Sequence, residues 1–275
     1  MVNANLTTGR TVITQNIEYA IPLIFCASVI RAYTGFGFAA FAIIGLNLLW
    51  PPQVSVPVIL LIDLICGCWL IPQAIQHADR SLLKQLASGA IIGAPLGLLV
   101  LIWMPELWIK VATSVLVLYM SINLALQHSK DLRILSPVKN IIMGTVSGAI
   151  TAAASVGGPP LVAYLTGCSL RPQQQRSVLI IFFAISTIFS LLLMGFTGLI
   201  STQVLYAVVL LILPALAGAY LGNRLFHFRQ PKSFRPLVTP MLALLALVSL
   251  ILNLNLFDFD SFDLVQMDAH LAILS

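Results

Sequence analysis

Apolar stretches about twenty residues long recur from one end of this chain to the other, and its few charges fall in the short loops between them. A helix of about twenty residues just crosses a hydrocarbon core, so this one feature decides the solvent in which the chain folds. Of 275 residues, 59% are hydrophobic and 8% charged, too few charges to cover a soluble body of that size. Strong period-two alternation is absent, which leaves helices to satisfy the backbone in lipid. The expected fold class is an all-α polytopic membrane protein.

The net charge of +5 does not mark a nucleic-acid binder, because the basic residues sit in loops, where they orient the chain in the bilayer. Cys26, Cys66, Cys68 and Cys168 lie within or beside apolar segments and read as buried structural thiols. Cys66 and Cys68 point about 200° apart on a helix and make a poor metal pair. No basic leader with a small-residue cleavage site opens the chain, so no removable signal peptide is expected.

Two short breaks organise the apolar sequence. Gly35-Phe36-Gly37 separates segments 17–30 and 36–50; Gly157-Gly158-Pro159-Pro160 separates 140–154 and 158–169. Spans at 54–76, 83–103 and 106–126 follow the first break, and spans at 177–199, 203–224 and 236–256 follow the second. The breaks lie 157 − 35 = 122 positions apart. Gly93-Ala94-Pro95-Leu96-Gly97 recurs as Gly218-Ala219-Tyr220-Leu221-Gly222 at 218 − 93 = 125. Small residues four apart permit close helix packing, and their return at nearly the same offset points to an internal duplication. The expected division is a polar segment (1–16), a first transmembrane repeat (17–127), a basic cytoplasmic linker (128–139), a second repeat (140–257) and an acidic tail (258–275).

Lys and Arg in short loops set the orientation. Arg80 and Lys84 put their loop in the cytoplasm, as do Lys130, Arg133 and Lys139 for the linker and Arg224, Arg229, Lys232 and Arg235 for theirs. The nearly uncharged loop at 198–203 is then outside, and the loop with Arg171 and Arg176 inside. The stretch 140–169 would begin and end on one side, which makes it a hairpin turning at its break; 17–50 would do the same from outside. Each half becomes a hairpin plus three crossings, an odd number, so the halves form an inverted repeat. A simple eight-crossing chain is the alternative.

Paired Gly/Pro interruptions at corresponding places in two halves point to a transporter's substrate site. A helix restarting at each break offers free N–H groups and a partial positive charge, and two such ends meeting at the midplane make an anion site. Close packing or kinking is the bland reading of the same glycines. Arg31, four residues before Gly35, is costly in an apolar stretch and could grip a carboxylate, sulfonate or sulfite, or else snorkel from a helix end. Arg176 is a second anion contact or a topology anchor. Asp63, amid Ile59-Leu60-Leu61-Ile62 and Leu64-Ile65, reads as a proton carrier or as the counter-ion of Arg31. Thr34, Asn47, Ser155 and Tyr164 add candidate donors near the turns, or helix–helix hydrogen bonds. The candidate substrate site is therefore Arg31, Thr34, Gly35, Gly37, Ser155, Gly157, Gly158, Pro159, Tyr164 and Arg176. No phosphate-binding Gly-rich Lys motif, metal-ligand spacing or hydrolase grouping is visible, so no cofactor, metal or enzyme activity is expected.

At these residues the chain resembles the sulfite exporter TauE/SafE family of membrane transporters. The likeness covers about 17–255. It rests on Arg31-Ala32-Tyr33-Thr34-Gly35-Phe36-Gly37-Phe38, Pro51-Pro52 and Val56-Pro57 in the first half. In the second it rests on Gly144-Thr145-Val146-Ser147-Gly148, residues 157–160, Tyr164 and Arg176, with Gly93/Gly97 and Gly218/Gly222 completing it. The resemblance implies a secondary transporter of sulfite, sulfonates or related organic acids, commonly outward across a bacterial inner membrane. Many relatives have a longer glycine run at the first turn, where this chain has Phe38-Ala39-Ala40, leaving less bare backbone for an anion. The expected partners are a small anion, protons and the lipid bilayer. Other readings are a channel or transporter for another solute, such as a cation at Asp63, and a non-transporting membrane scaffold.

Overall fold

The computed structural model describes residues 2–34, 38–68, 71–126, 136–166, 168, 170–228, 247 and 249–251. Among them ten helices follow one another, with no strand: α1 (Val2–Thr34), α2 (Phe38–Leu49), α3 (Pro52–Gly67), α4 (Ile71–Ile75), α5 (Arg80–Trp103), α6 (Glu106–Leu126), α7 (Pro137–Ala154), α8 (Gly158–Thr166), α9 (Pro172–Phe196) and α10 (Thr202–Phe228). Proline opens α3, α7 and α9, where its missing N–H would be unpaired anyway. Asp79 caps α5, its carboxylate accepting from the N–H groups of Ser81 (2.9 Å) and Leu82 (3.1 Å).

Three helices are long and apolar enough to cross a membrane, at Arg80–Trp103, Gln173–Phe196 and Thr202–Gly222, with α2 and α3 as shorter apolar helices. Large apolar side chains such as Trp103, Phe196, Leu213 and Tyr220 stand exposed on them, which suits lipid as the neighbour. The expected span 54–76 is instead divided: α3 ends at Gly67 and the five-residue α4 starts at Ile71. Pro137 starts α7 three residues inside the expected linker, and α1 already begins at Val2. Of the expected last span only residues 247 and 249–251 are described; there Ser249 Oγ lies 3.0 Å from Ser114 Oγ of α6. Most of the linker and all of the acidic tail lie outside the described residues. The cysteines are not uniformly buried: Cys168 is, Cys66 is half-buried, and Cys26 and Cys68 are exposed, because they face outward from their helices.

Two backbone-on-backbone contacts hold the bundle. Gly89, Gly93 and Gly97 of α5 lie against the carbonyls of Ile141, Thr145 and Ala149 of α7; a Cβ on Gly93 would sit 2.0 Å from the Thr145 oxygen. Gly218 and Gly222 of α10 lie the same way against Phe25 and Val29 of α1, with corresponding distances of 2.4 and 2.3 Å. Numbers rise together in both pairs, so each pair runs parallel. Only glycine lets two helices approach this closely.

Two helical hairpins complete the frame. Along α7, α8 folds back: Ser147 Oγ donates to the Gly157 carbonyl and Tyr164 Oη to Asn140 Oδ1, each at 2.6 Å. Along α1, α2 folds back: Gly45 rests on the Leu23 side chain, and Asn16 Nδ2 donates to the Leu49 carbonyl at 3.3 Å. The open end of the α7–α8 hairpin lies beside the start of α5, where Asn140 Nδ2 donates to Gln85 Oε1 at 2.7 Å. The start of α3 lies at the opposite end, Gln53 Nε2 donating to the Leu101 carbonyl at 3.2 Å.

Candidate functional site

Arg31 occupies the last turn of α1, where its charge also complements the negative end of that helix. Its Nη1 forms an ion pair with Asp63 Oδ1 of α3 and lies 3.5 Å from the Asp63 carbonyl oxygen. The guanidinium stands 5.7 Å from the ring centre of Phe38, the first residue of α2. Gly67, one turn beyond Asp63, leaves room for it: a Cβ there would lie 3.4 Å from Nη2. Arginine and aspartate alone in apolar helices would each be expensive, and pairing cancels most of that cost. Neither is fully enclosed, at 22% and 23% exposure.

The second turn is built from hydroxyls and glycine. Ser155 ends α7 with φ 59°, the left-handed conformation that L-residues avoid, and is the one non-glycine residue of positive φ among those described. Its Oγ donates to the Val56 carbonyl of α3 at 3.3 Å, a contact that holds the strained residue in place. Gly157 is packed so tightly that a Cβ would fall 2.3 Å from the Ser147 carbonyl oxygen and 2.0 Å from Thr151 Oγ1. Gly158 opens α8 in ordinary space, its nearest neighbour being Phe183 of α9 at 3.6 Å from a built Cβ. Pro159 and Pro160 remove two of the four free N–H groups that a helix start normally offers, leaving those of Gly157 and Gly158.

The last turn of α1 and the turn after α7 both touch α3. Val56 and Asp63 are seven residues apart, hence on one face and about 10 Å from each other along the helix. Ser155 meets that face at the first and Arg31 at the second. Ser155 and Arg31 therefore contact α3 about 10 Å apart along its axis.

The other candidates are distributed unevenly. Thr34 ends α1, but its side chain, with Gly35 and Gly37, lies outside the described residues. Tyr164 sits near the end of α8 with its hydroxyl donated to Asn140, two turns from Gly157. Arg176 is exposed near the start of α9, seven residues before Phe183 and so about 10 Å short of the second turn. Asn47 accepts from Ser55 Oγ in a buried side-chain hydrogen bond. Sequence reasoning missed Phe38 and Gly67 beside Arg31, and Ser147 and Thr151 beneath Gly157. Ser147 and Thr151 stand four apart on the α7 face that α8 covers, a spacing visible in the sequence.

Three helices long and apolar enough to cross a membrane, with an ion pair between α1 and α3 and one strained, hydroxyl-held turn between α7 and α8, mark a multi-pass membrane protein. Residues 20–249 match the family described as Sulfite exporter TauE/SafE, and the chain belongs to that family of membrane transporters. The match takes in both turns, Arg31 and Asp63. No curated protein and no solved structure matches the chain.

Proposed function

We propose that the protein is a secondary transporter of small oxyanions such as sulfite, sulfonates or related organic acids, working by alternating access in a bacterial inner membrane. The Arg31–Asp63 ion pair carries the reading. A guanidinium inside an apolar bundle is a ready anion receptor, and here an aspartate carboxylate already holds the place an oxyanion would take. The same pairing argues against a cation site, since Arg31 neutralises Asp63. The substrate displaces Asp63 from Arg31, and a proton then replaces Arg31 as the counter-charge of Asp63. Anion and proton travel together on this scheme, so the direction of net flux follows the sum of their two gradients.

An inverted repeat supplies the two access states. The supporting observations are boundaries and packing. The ends of α1 and α7 (154 − 34), the starts of α2 and α8 (158 − 38) and the starts of α3 and α9 (172 − 52) are each 120 positions apart. Aligned this way, Gly37 corresponds to Gly157 and Gly35 to Ser155, two positions from the pairing suggested by the glycines alone. In the α5–α7 and α10–α1 contacts, Thr145 and Ala149 of α7 take the places of Phe25 and Val29 of α1 at the same offset of 120, while Gly93 and Gly97 correspond to Gly218 and Gly222 at 125. With the basic loops in the cytoplasm, the α1–α2 hairpin enters from outside and the α7–α8 hairpin from inside. Thr34, Gly35 and Gly37 then line the first turn near Arg31, and Ser155, Gly157, Gly158 and Pro159 shape the second. Tyr164 braces α8, and Arg176 receives the anion at the cytoplasmic mouth.

The test is uptake of radiolabelled sulfite into proteoliposomes by the native chain and by Arg31→Gln. Saturable flux in the first and loss of it in the second, with both proteins folded, is expected. Absence of flux for sulfite and a panel of sulfonates would overturn the substrate class. Asp63→Asn is expected to abolish the stimulation of uptake by external acid; an unchanged pH profile refutes the proton step.

A further inference from the structure

We propose that Ser186 and Ser190 of α9, beside the start of α8, form a second station for the same small oxyanion, bound through neutral O–H donors. The inference rests on the transport reading above and adds residues to it. Both hydroxyls are buried, at 1% exposure each, and neither has a hydrogen-bond partner. Hydroxyls within helices ordinarily donate to the carbonyl four residues back. Thr113, Ser114, Thr145 and Thr151 all do so here, at 2.7 to 3.0 Å. Ser186 and Ser190 do not, which leaves two donors within the protein.

Their position connects them to the second turn. Phe183 is the neighbour of Gly158, and Ser186 and Ser190 follow it by three and seven residues, on the same face of α9. That face also lies where the apolar core divides. Val178 and Phe182 of α9 pack with α8 and the first part of α5, whereas Leu191 and Met194 belong to a separate apolar group with α1, α2 and α10. Along α9 the two hydroxyls fall between these groups. Ser186, about 5 Å along α9 from Phe183, adds a donor near the start of α8, which is short of two N–H groups because of Pro159 and Pro160, and Ser190 continues the path about one turn further. Ser28 and Trp50, the other two such groups among the described residues, lie elsewhere: Ser28 against Gly218 and Trp50 in the larger apolar group.

The two stations differ in strength for a chemical reason. Arg31 brings a full charge to the first, and Asp63 (120 positions before Phe183) competes for it there. The second offers dipoles alone, so it holds an anion loosely and lets it leave. Hydroxyls suit sulfite or a sulfonate, whose several oxygens accept at once.

The experiment compares the native protein, Arg31→Gln and the double variant Ser186→Ala/Ser190→Ala, using sulfite as probe. Removing unpartnered hydroxyls leaves packing intact, so the double variant should melt at the native temperature or above it. Its apparent KM for sulfite should rise at least fivefold, and sulfite should protect it less against heating than it protects the native protein. Ser186→Thr/Ser190→Thr, which keeps the hydroxyls, should retain near-native KM. Native KM in the alanine variant, or loss of flux only in step with a lowered melting temperature, overturns the second station. If in that case Arg31→Gln still abolishes native flux, the transport reading stands alone. No sulfite or sulfonate flux in the native protein fails the transport reading, and the second station with it.

Discussion

Gly157→Ala should damage this protein far more than Gly158→Ala, although the two glycines are adjacent. At position 157 the new methyl would lie 2.3 Å from the Ser147 carbonyl oxygen, a backbone atom, and 2.0 Å from Thr151 Oγ1. Thr151 could rotate, at the expense of its 2.8 Å hydrogen bond to the Ser147 carbonyl. The carbonyl has no such freedom, so the turn must retreat by 0.7 Å or more to reach even 3.0 Å. Overpacking of this kind costs about 1–3 kcal/mol. The retreat also stretches the buried bond from Ser147 Oγ to the Gly157 carbonyl, 2.6 Å long, adding about 1 kcal/mol. A total of about 2–4 kcal/mol should lower the melting temperature by roughly 5–15 °C. At position 158 the methyl would make an ordinary 3.6 Å contact with Phe183, and melting should move by no more than about 2 °C. The assay is thermal unfolding of the purified protein in detergent, followed by tryptophan fluorescence. Equal melting temperatures for the two variants, or the reverse order, would refute the reasoning about the turn.

Three further outcomes are expected. Arg31→Gln and Asp63→Asn should each destabilise by leaving a charge without its partner, and the double variant should recover about 1–3 kcal/mol of the summed loss while remaining inactive; additive effects in denaturant titrations would show that the pair contributes nothing. Ser155→Gly should fall within about 1 kcal/mol of native stability, since relief of the left-handed conformation offsets the lost 3.3 Å bond to Val56, whereas Ser155→Val should cost about 2 kcal/mol or more; similar melting curves for both would contradict the strain. Gly93→Ala and Gly218→Ala should both lower melting sharply, because each methyl meets a carbonyl oxygen of the neighbouring helix at 2.4 Å or less, and native stability in either would mean the helices can part without cost.

What the sequence made legible followed from rules about lipid. Hydrophobic runs and loop charges give the helices, the hairpin shape of 140–169 and the pairing of Arg31 with Asp63 as one of two readings, because isolated charges in apolar helices need partners. The division of 54–76 was less visible. Pro57 lies inside α3, which continues through it, and the helix ends later, at Gly67, beneath Arg31. That contact joins residues more than thirty positions apart and leaves no local mark. Glycines located the breaks, but nothing local marked Ser155, which takes the left-handed conformation in the second turn that a glycine adopts more easily. The polar groups of Tyr164 and Asn47 were legible as residue types and not as partners, since the bond Tyr164 donates to Asn140 and the one Asn47 accepts from Ser55 depend on how the helices are apposed.

The parallel contact between α1 and α10 has a consequence for how the chain is made. Gly218 lies 218 − 25 = 193 positions after the Phe25 carbonyl it must meet, whereas Ile141 follows Gly89 by only 141 − 89 = 52. At ribosomal speeds of about 5–20 residues per second, α7 reaches α5 within roughly 3–10 s, but α1 waits roughly 10–40 s for α10. During that interval α1, with Arg31 near its end, sits in the translocation machinery or the bilayer without its closest neighbour. A ribosome stalled before α10 emerges would leave α1 open to quality-control proteases, which makes the synthesis of α10 the point at which that helix becomes safe.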